Sequence, residues 1–156
     1  PVAVGLMMTL HGLPVVIAGD EFGLVGADGE ESRTPMPWGT EDEPETAARI
    51  ALYRDLIALR RAHPTLATGG LRWIHVDEGS VVFARESADE TLLVLAARDD
   101  VDAELPAGAV PRASEADALH GDATLAVSDD GGVLVSADGP AFAVWRLPGV
   151  AVPAAV

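Results

Sequence analysis

After Pro64 the chain breaks into seven apolar segments of four to seven residues, and that texture restricts the fold more than any other feature. Leu71 to Val76, Ser80 to Arg85, Thr91 to Ala97, Val101 to Leu105, Thr124 to Val127, Val133 to Ser136 and Ala141 to Leu147 are rich in Val, Leu, Ala and Thr. Several are separated by turn signals: Asp77-Glu78-Gly79, Ala88-Asp89-Glu90 and Asp129-Asp130-Gly131-Gly132. Segments this short cannot pack alone, and their regular spacing predicts strands closing on one another in an antiparallel Greek-key β-sandwich. Trp73 and Trp145 fall inside two of these strands and are expected in the core.

Before Pro64 the period is different. Val2 to Leu10 is apolar on all sides, the pattern of a buried helix end, closed by His11 and Gly12 because Pro14 cannot continue it. Val15 to Ala18 is short, β-branched and lacks alternation, which predicts a strand covered on both faces as in a parallel α/β sheet. Acids from Glu41 to Glu45 precede a helix expected from a Thr46 cap to about His63, with Arg60, Arg61 and His63 complementing the macrodipole at its end. Leu52, Leu56 and Leu59, beside Tyr53 and Ile57, form its packing stripe. The expected organisation is a helix–strand–loop–helix unit over residues 1–63 and a sandwich over residues 64–156, a mainly β chain.

Composition removes several classes of function. Twenty-five acids against ten bases give a formal charge of −15, which repels phosphate backbones and anionic headgroups, so neither nucleic acid nor membrane is expected as a partner. The absence of Cys excludes thiol catalysis and Cys-ligated zinc, and the four His at 11, 63, 75 and 120 have no ligand spacing, so no metal or cofactor is expected. The apolar opening has no preceding Lys or Arg and is interrupted at Gly12 to Pro14, unlike a signal peptide or a spanning helix. Pro1 running straight into it suggests a chain cut from the interior of a longer protein. The cytoplasm is favoured as its compartment.

The polar chemistry is concentrated between Gly12 and Trp38. Gly19-Asp20-Glu21 closes the predicted strand, and the loop beyond carries Asp28, Glu30, Glu31, Arg33 and Trp38. An Asp accepts from sugar hydroxyls while a guanidinium forks onto vicinal hydroxyls or a carboxylate; equally, such a pair can staple a long loop. Asp20 reads as a structural acid receiving backbone amides, and Glu21 is divided between that task and the rim of a site. Trp38, between prolines and a helix start, either stacks on a sugar face or anchors packing.

This order of residues resembles the last barrel strand and following loop of the α-amylase superfamily of glycoside hydrolases. Leu59-Arg60-Arg61-Ala62-His63-Pro64-Thr65-Leu66 is similar to the end of its last barrel helix, and Arg33-Thr34-Pro35-Met36-Pro37-Trp38 looks most like its α-glucosidases, maltodextrin-acting enzymes and trehalose-forming isomerases. The resemblance implies that residues 1–63 are the last repeat of a (β/α)8 barrel and that Asp28, Arg33 and Glu21 contact an α-glucan or maltooligosaccharide. The loop spacing leaves the acid among Asp28, Glu30 and Glu31.

A complete barrel of that kind takes roughly 250 residues. The resemblance also implies a nucleophilic Asp, an acid/base Glu and a third Asp preceded by Asn-His, all from earlier strands. The chain contains no Asn at all, so that signature is absent. Hydrolysis of a glycosidic bond requires two carboxyl groups on opposite sides of it. The chain is therefore expected to be the inactive C-terminal portion of a retaining α-glycosidase, with no catalytic residue of its own and the missing barrel as its partner. A fragment of a trehalose-forming isomerase or glucosyl transferase is the alternative within the family. A free-standing carbohydrate-binding sandwich is the alternative outside it, and three Trp, three Phe and one Tyr are few for such a surface. The segment before Pro64 should either pack as a helical flap on the sandwich or expose apolar strand surface and associate with another copy.

Overall fold

The computed structural model describes residues 1–26 and 34–149. Helix α1 (Val2–Thr9) and helix α2 (Pro44–Ala62) are followed by the short α3 (Thr65–Thr68). Among the described residues eight strands complete the order: β1 (Gly70–Val76), β2 (Ser80–Glu86), β3 (Glu90–Ala97), β4 (Val101–Leu105), β5 (Asp117–His120), β6 (Thr124–Val127), β7 (Val133–Ala137) and β8 (Ala141–Pro148). All pairings are antiparallel, in a five-stranded sheet ordered β1-β2-β3-β8-β5 and a three-stranded sheet ordered β4-β7-β6. Pairing of β3 with β8, far apart in sequence, is the crossover of a Greek key.

Three layers result, and the strand sequences follow them. β3 is buried almost throughout because both its faces are covered. Leu93, Leu95 and Ala97 face the second sheet with Val101, Val135 and Trp145, while Leu92, Val94 and Ala96 face the helices with Met8, Leu56, Leu66 and Phe142. β4 alternates instead: Val101, Ala103 and Leu105 point inward, and Asp102 and Glu104 stay in water because nothing covers that sheet's outer face.

Several expectations need correction. Val15 to Ala18 forms no strand among the described residues, and Val15 and Ile17 are 71% and 64% exposed. A parallel strand needs hydrogen-bonded neighbours on its sides, and no described strand pairs with this segment. Helix α2 starts at Pro44 with Glu43 as its N-cap and no capping side chain; Thr46 is buried inside the first turn. Proline presets the dihedral of a first helical residue, so the helix starts ahead of the Thr. Trp145 is core, but Trp73 is 51% exposed, its edge against Phe83 at 5.2 Å between ring centroids. β1 is the sheet edge, and α1 and α3 lie over the middle strands.

Candidate functional site

The acid segment is a tight turn rather than a strand end. A 3-10 turn at Asp20–Phe22 lies between Gly19 (φ 103°) and Gly23 (φ 78°), both left-handed conformations that glycine adopts without a Cβ clash. The Phe22 and Leu24 amides both donate to the Gly19 carbonyl at 3.0 Å. Each acid also braces the backbone: Ile17 N–H donates to Asp20 Oδ2 at 3.0 Å, and Gly19 N–H donates to Glu21 Oε2 at 3.0 Å. Asp20 and Glu21 thus hold the turn that displays them.

Helix α2 backs this turn. Arg49 and Tyr53, one helical turn apart, point toward it, and a Cβ on Gly23 would stand 2.6 Å from the Arg49 guanidinium. The buried Tyr53 phenol is pushed above its ordinary value, first by burial and then by the charges of Asp20 and Glu21, against the opposing pull of Arg49. It therefore stays protonated through the neutral range, a hydroxyl in the field of two carboxylates. Trp38 closes the far side: its ring meets Phe22 edge-on at 6.3 Å and 78°, yet the residue is 74% exposed. It is not a buried packing anchor.

Of the site residues expected from the sequence, Glu21 is therefore half-buried at the turn, while Asp28 and Arg33, with Glu30 and Glu31, lie outside the described residues. Among the described residues no cluster of His, Asp and Glu could hold a metal ion. The arrangement can support a loop and present polar groups to a neutral ligand; among the described residues of this segment no two opposed carboxyls of the kind glycoside hydrolysis uses are assembled.

No family model matches the chain. Over 82 residues it is 34% identical to neopullulanase 2 of Thermoactinomyces vulgaris, covering 53% of this chain and 14% of that protein. It is 31% identical over 99 residues to a cyclomaltodextrinase of Bacillus sp, covering 62% of this chain and 17% of that one. Its fold superposes on the α-amylase of Anoxybacillus with a TM-score of 0.79 at 19% identity, over 96% of this chain and 32% of the other. The α-amylase of Geobacillus thermoleovorans in complex with acarbose gives 0.78 at 22% identity, over 93% and 32%.

The chain is similar in sequence and in fold to enzymes of the α-amylase family.

It corresponds to the C-terminal part of such enzymes, with the antiparallel β domain found there, and spans only 14–17% of the curated relatives it matches. The sequence pattern gave no sign of Arg49 and Tyr53 as companions of the acid turn. Periodicity assigns Tyr53 to the packing stripe of α2 and Arg49 to solvent, and no local pattern marks which helical residues a preceding loop will meet.

Proposed function

We propose that this chain is the C-terminal portion of a retaining α-glycosidase acting on α-glucosidic linkages of maltooligosaccharides or related glucans. On this reading residues 1–63 are the last repeat of its (β/α)8 barrel and residues 64–156 its sandwich domain. The carrying observation is the juxtaposition at the end of α1. A turn whose acids brace its own backbone is continuous with Leu13, Val15, Val16 and Ile17, all exposed. An apolar stretch followed by a polar rim is what one barrel repeat presents when its neighbouring strands are elsewhere. The names of the relatives, a neopullulanase and a cyclomaltodextrinase, support an α-glucan substrate.

Glu21, Asp28 and Arg33 are proposed as substrate-positioning groups, and the bond-breaking carboxylates as residues of the missing barrel. The sandwich stabilises the barrel without entering the chemistry. A free-standing glucan-binding module is less well supported, because the described part of the sandwich exposes one aromatic, Trp73.

Kinetics of the parent-length enzyme on maltoheptaose test this assignment. Glu21→Gln and Arg33→Gln should raise KM more than they lower kcat, since groups that hold ground state and transition state alike act on binding. An unchanged KM for both would remove them from the site.

A further inference from the structure

Arg85 is a charge placed where the sequence Ser80-Val81-Val82-Phe83-Ala84-Arg85 predicts only packing. It is fully buried in β2, and its hydrogen bonds run to backbone carbonyls: Nε to Gly70 at 3.1 Å, Nη1 to Thr9 and to Leu66 (2.8 Å), and Nη2 to Gly69 at 2.8 Å. Burial first, then the charge of Arg60 nearby, lower its pKa. A guanidinium nevertheless stays protonated in proteins. Thr9 ends α1, and Leu66 lies in the short α3, so the cation sits at carbonyl ends where helix dipoles favour positive charge.

A second arginine completes the arrangement. Arg60 of α2 donates through Nη1 to the carbonyls of Met8 (2.6 Å) and Leu10 (3.2 Å), and through Nη2 to that of Gly12 (2.8 Å). Its own helix end is capped by backbone, His63 N–H donating to Leu59. Four carbonyls from Met8 to Gly12 are thus held by two guanidiniums that come from β2 and α2, 48 to 76 residues away. Carbonyls at a helix C-terminus have no intrahelical partner, and fork-shaped donors fix both their distance and their direction.

We infer that Arg85 and Arg60 are positioning residues for the acid turn: together they fix where the chain leaves α1, and through Gly12 they set how Gly19 to Leu24 lies against Arg49 and Tyr53. The inference deepens the reading of this segment as one wall of a glucan site and rests on it for its kinetic consequence alone.

Two experiments separate the inference from that reading. In this chain, hydrogen exchange is compared for the wild type, Arg60→Met, Arg60→Lys and Arg85→Lys. Arg60→Met should release the Leu10 amide and also those of Asp20, Phe22 and Leu24, while β2 and β3 stay protected; Arg60→Lys should recover part of the protection. Unchanged exchange at Asp20 to Leu24, or a uniform loss that includes β3, overturns the inference, the first leaving a local cap and the second a purely structural one. In the parent-length enzyme, Arg60→Met should lower kcat/KM on maltoheptaose by roughly ten- to hundredfold, carried mainly by KM, with partial rescue by Lys. Loss confined to kcat, or none, contradicts the inference. A wild-type parent with no activity on maltooligosaccharides sinks the glucan reading instead, and the exchange result still decides the positioning role.

Discussion

At Gly5, helix α1 approaches β8 so closely that a Cβ would lie 2.4 to 2.6 Å from the ring of Phe142. The ring is buried and cannot swing aside, so Gly5→Ala should destabilise the fold by about 1–3 kcal/mol, the usual range for overpacking. Pairing it with Phe142→Leu should cost less than the sum of the two single changes in urea denaturation, because the smaller side chain removes the collision. Asp77 offers a second test at this scale. It accepts from the His75 ring at 2.9 Å and from the Gly79 amide at 2.8 Å, with further bonds from Ser80, and its carboxyl is lowered from 3.8 to about 2, the His75 bond contributing most. A depressed carboxylate binds fewer protons folded than unfolded, so the stabilisation of the β1–β2 turn is complete above the ordinary carboxylate range and is lost as pH falls through about 2. Following the Asp77 side-chain carboxyl by NMR should give that midpoint, and Asp77→Asn should flatten the acid limb of the stability curve.

The elements divide into those with a local pattern and those made by their neighbours. Leu56 on α2 is fully buried against Leu92, Val94 and Phe142 across the helix–sheet interface; Leu56→Ala should cost about 2–5 kcal/mol, whereas Leu134→Ala on the uncovered face of β7 should stay within about 0.5 kcal/mol. Strands β1 to β4 and β6 to β8 were legible to within a residue or two, because Val, Leu and Thr runs bounded by Asp-Gly turns carry their own signal. β5 was not. Asp117-Ala118-Leu119-His120 has no β-branched residue and is a strand because β8 offers it a free edge. The reverse holds for Val15 to Ala18, a strong strand pattern left unpaired. Arg60 and His63 were read as complements to their own helix end; Arg60 instead serves α1, and the His63 ring pairs with Glu90 of β3 at 2.8 Å. A sequence shows that a cation is near a helix end but not whose end it will serve. The acid turn was legible as a polar centre; its neighbours Arg49 and Tyr53, and the hold of Arg60 and Arg85 on the end of α1, were not.

As a whole the molecule is well finished on the sandwich and unfinished beyond α1. Two buried clusters serve the five-stranded sheet, one on each face, while Leu13, Val15, Val16, Ile17, Val25 and Trp38 lie in water. A contiguous apolar stretch of that kind promotes association. Sedimentation of the chain should therefore show species above monomer, and a Leu13→Ser/Ile17→Ser variant should shift them to monomer without lowering the midpoint of thermal unfolding. On the proposed reading the same surface would seat the barrel that carries the chemistry. The decisive measurement is turnover of maltoheptaose by the purified chain beside the enzyme expressed from its full reading frame. The account predicts hydrolysis with retained anomeric configuration by the full-length protein and none by the chain; turnover by the chain alone that Glu21→Gln abolishes would contradict it.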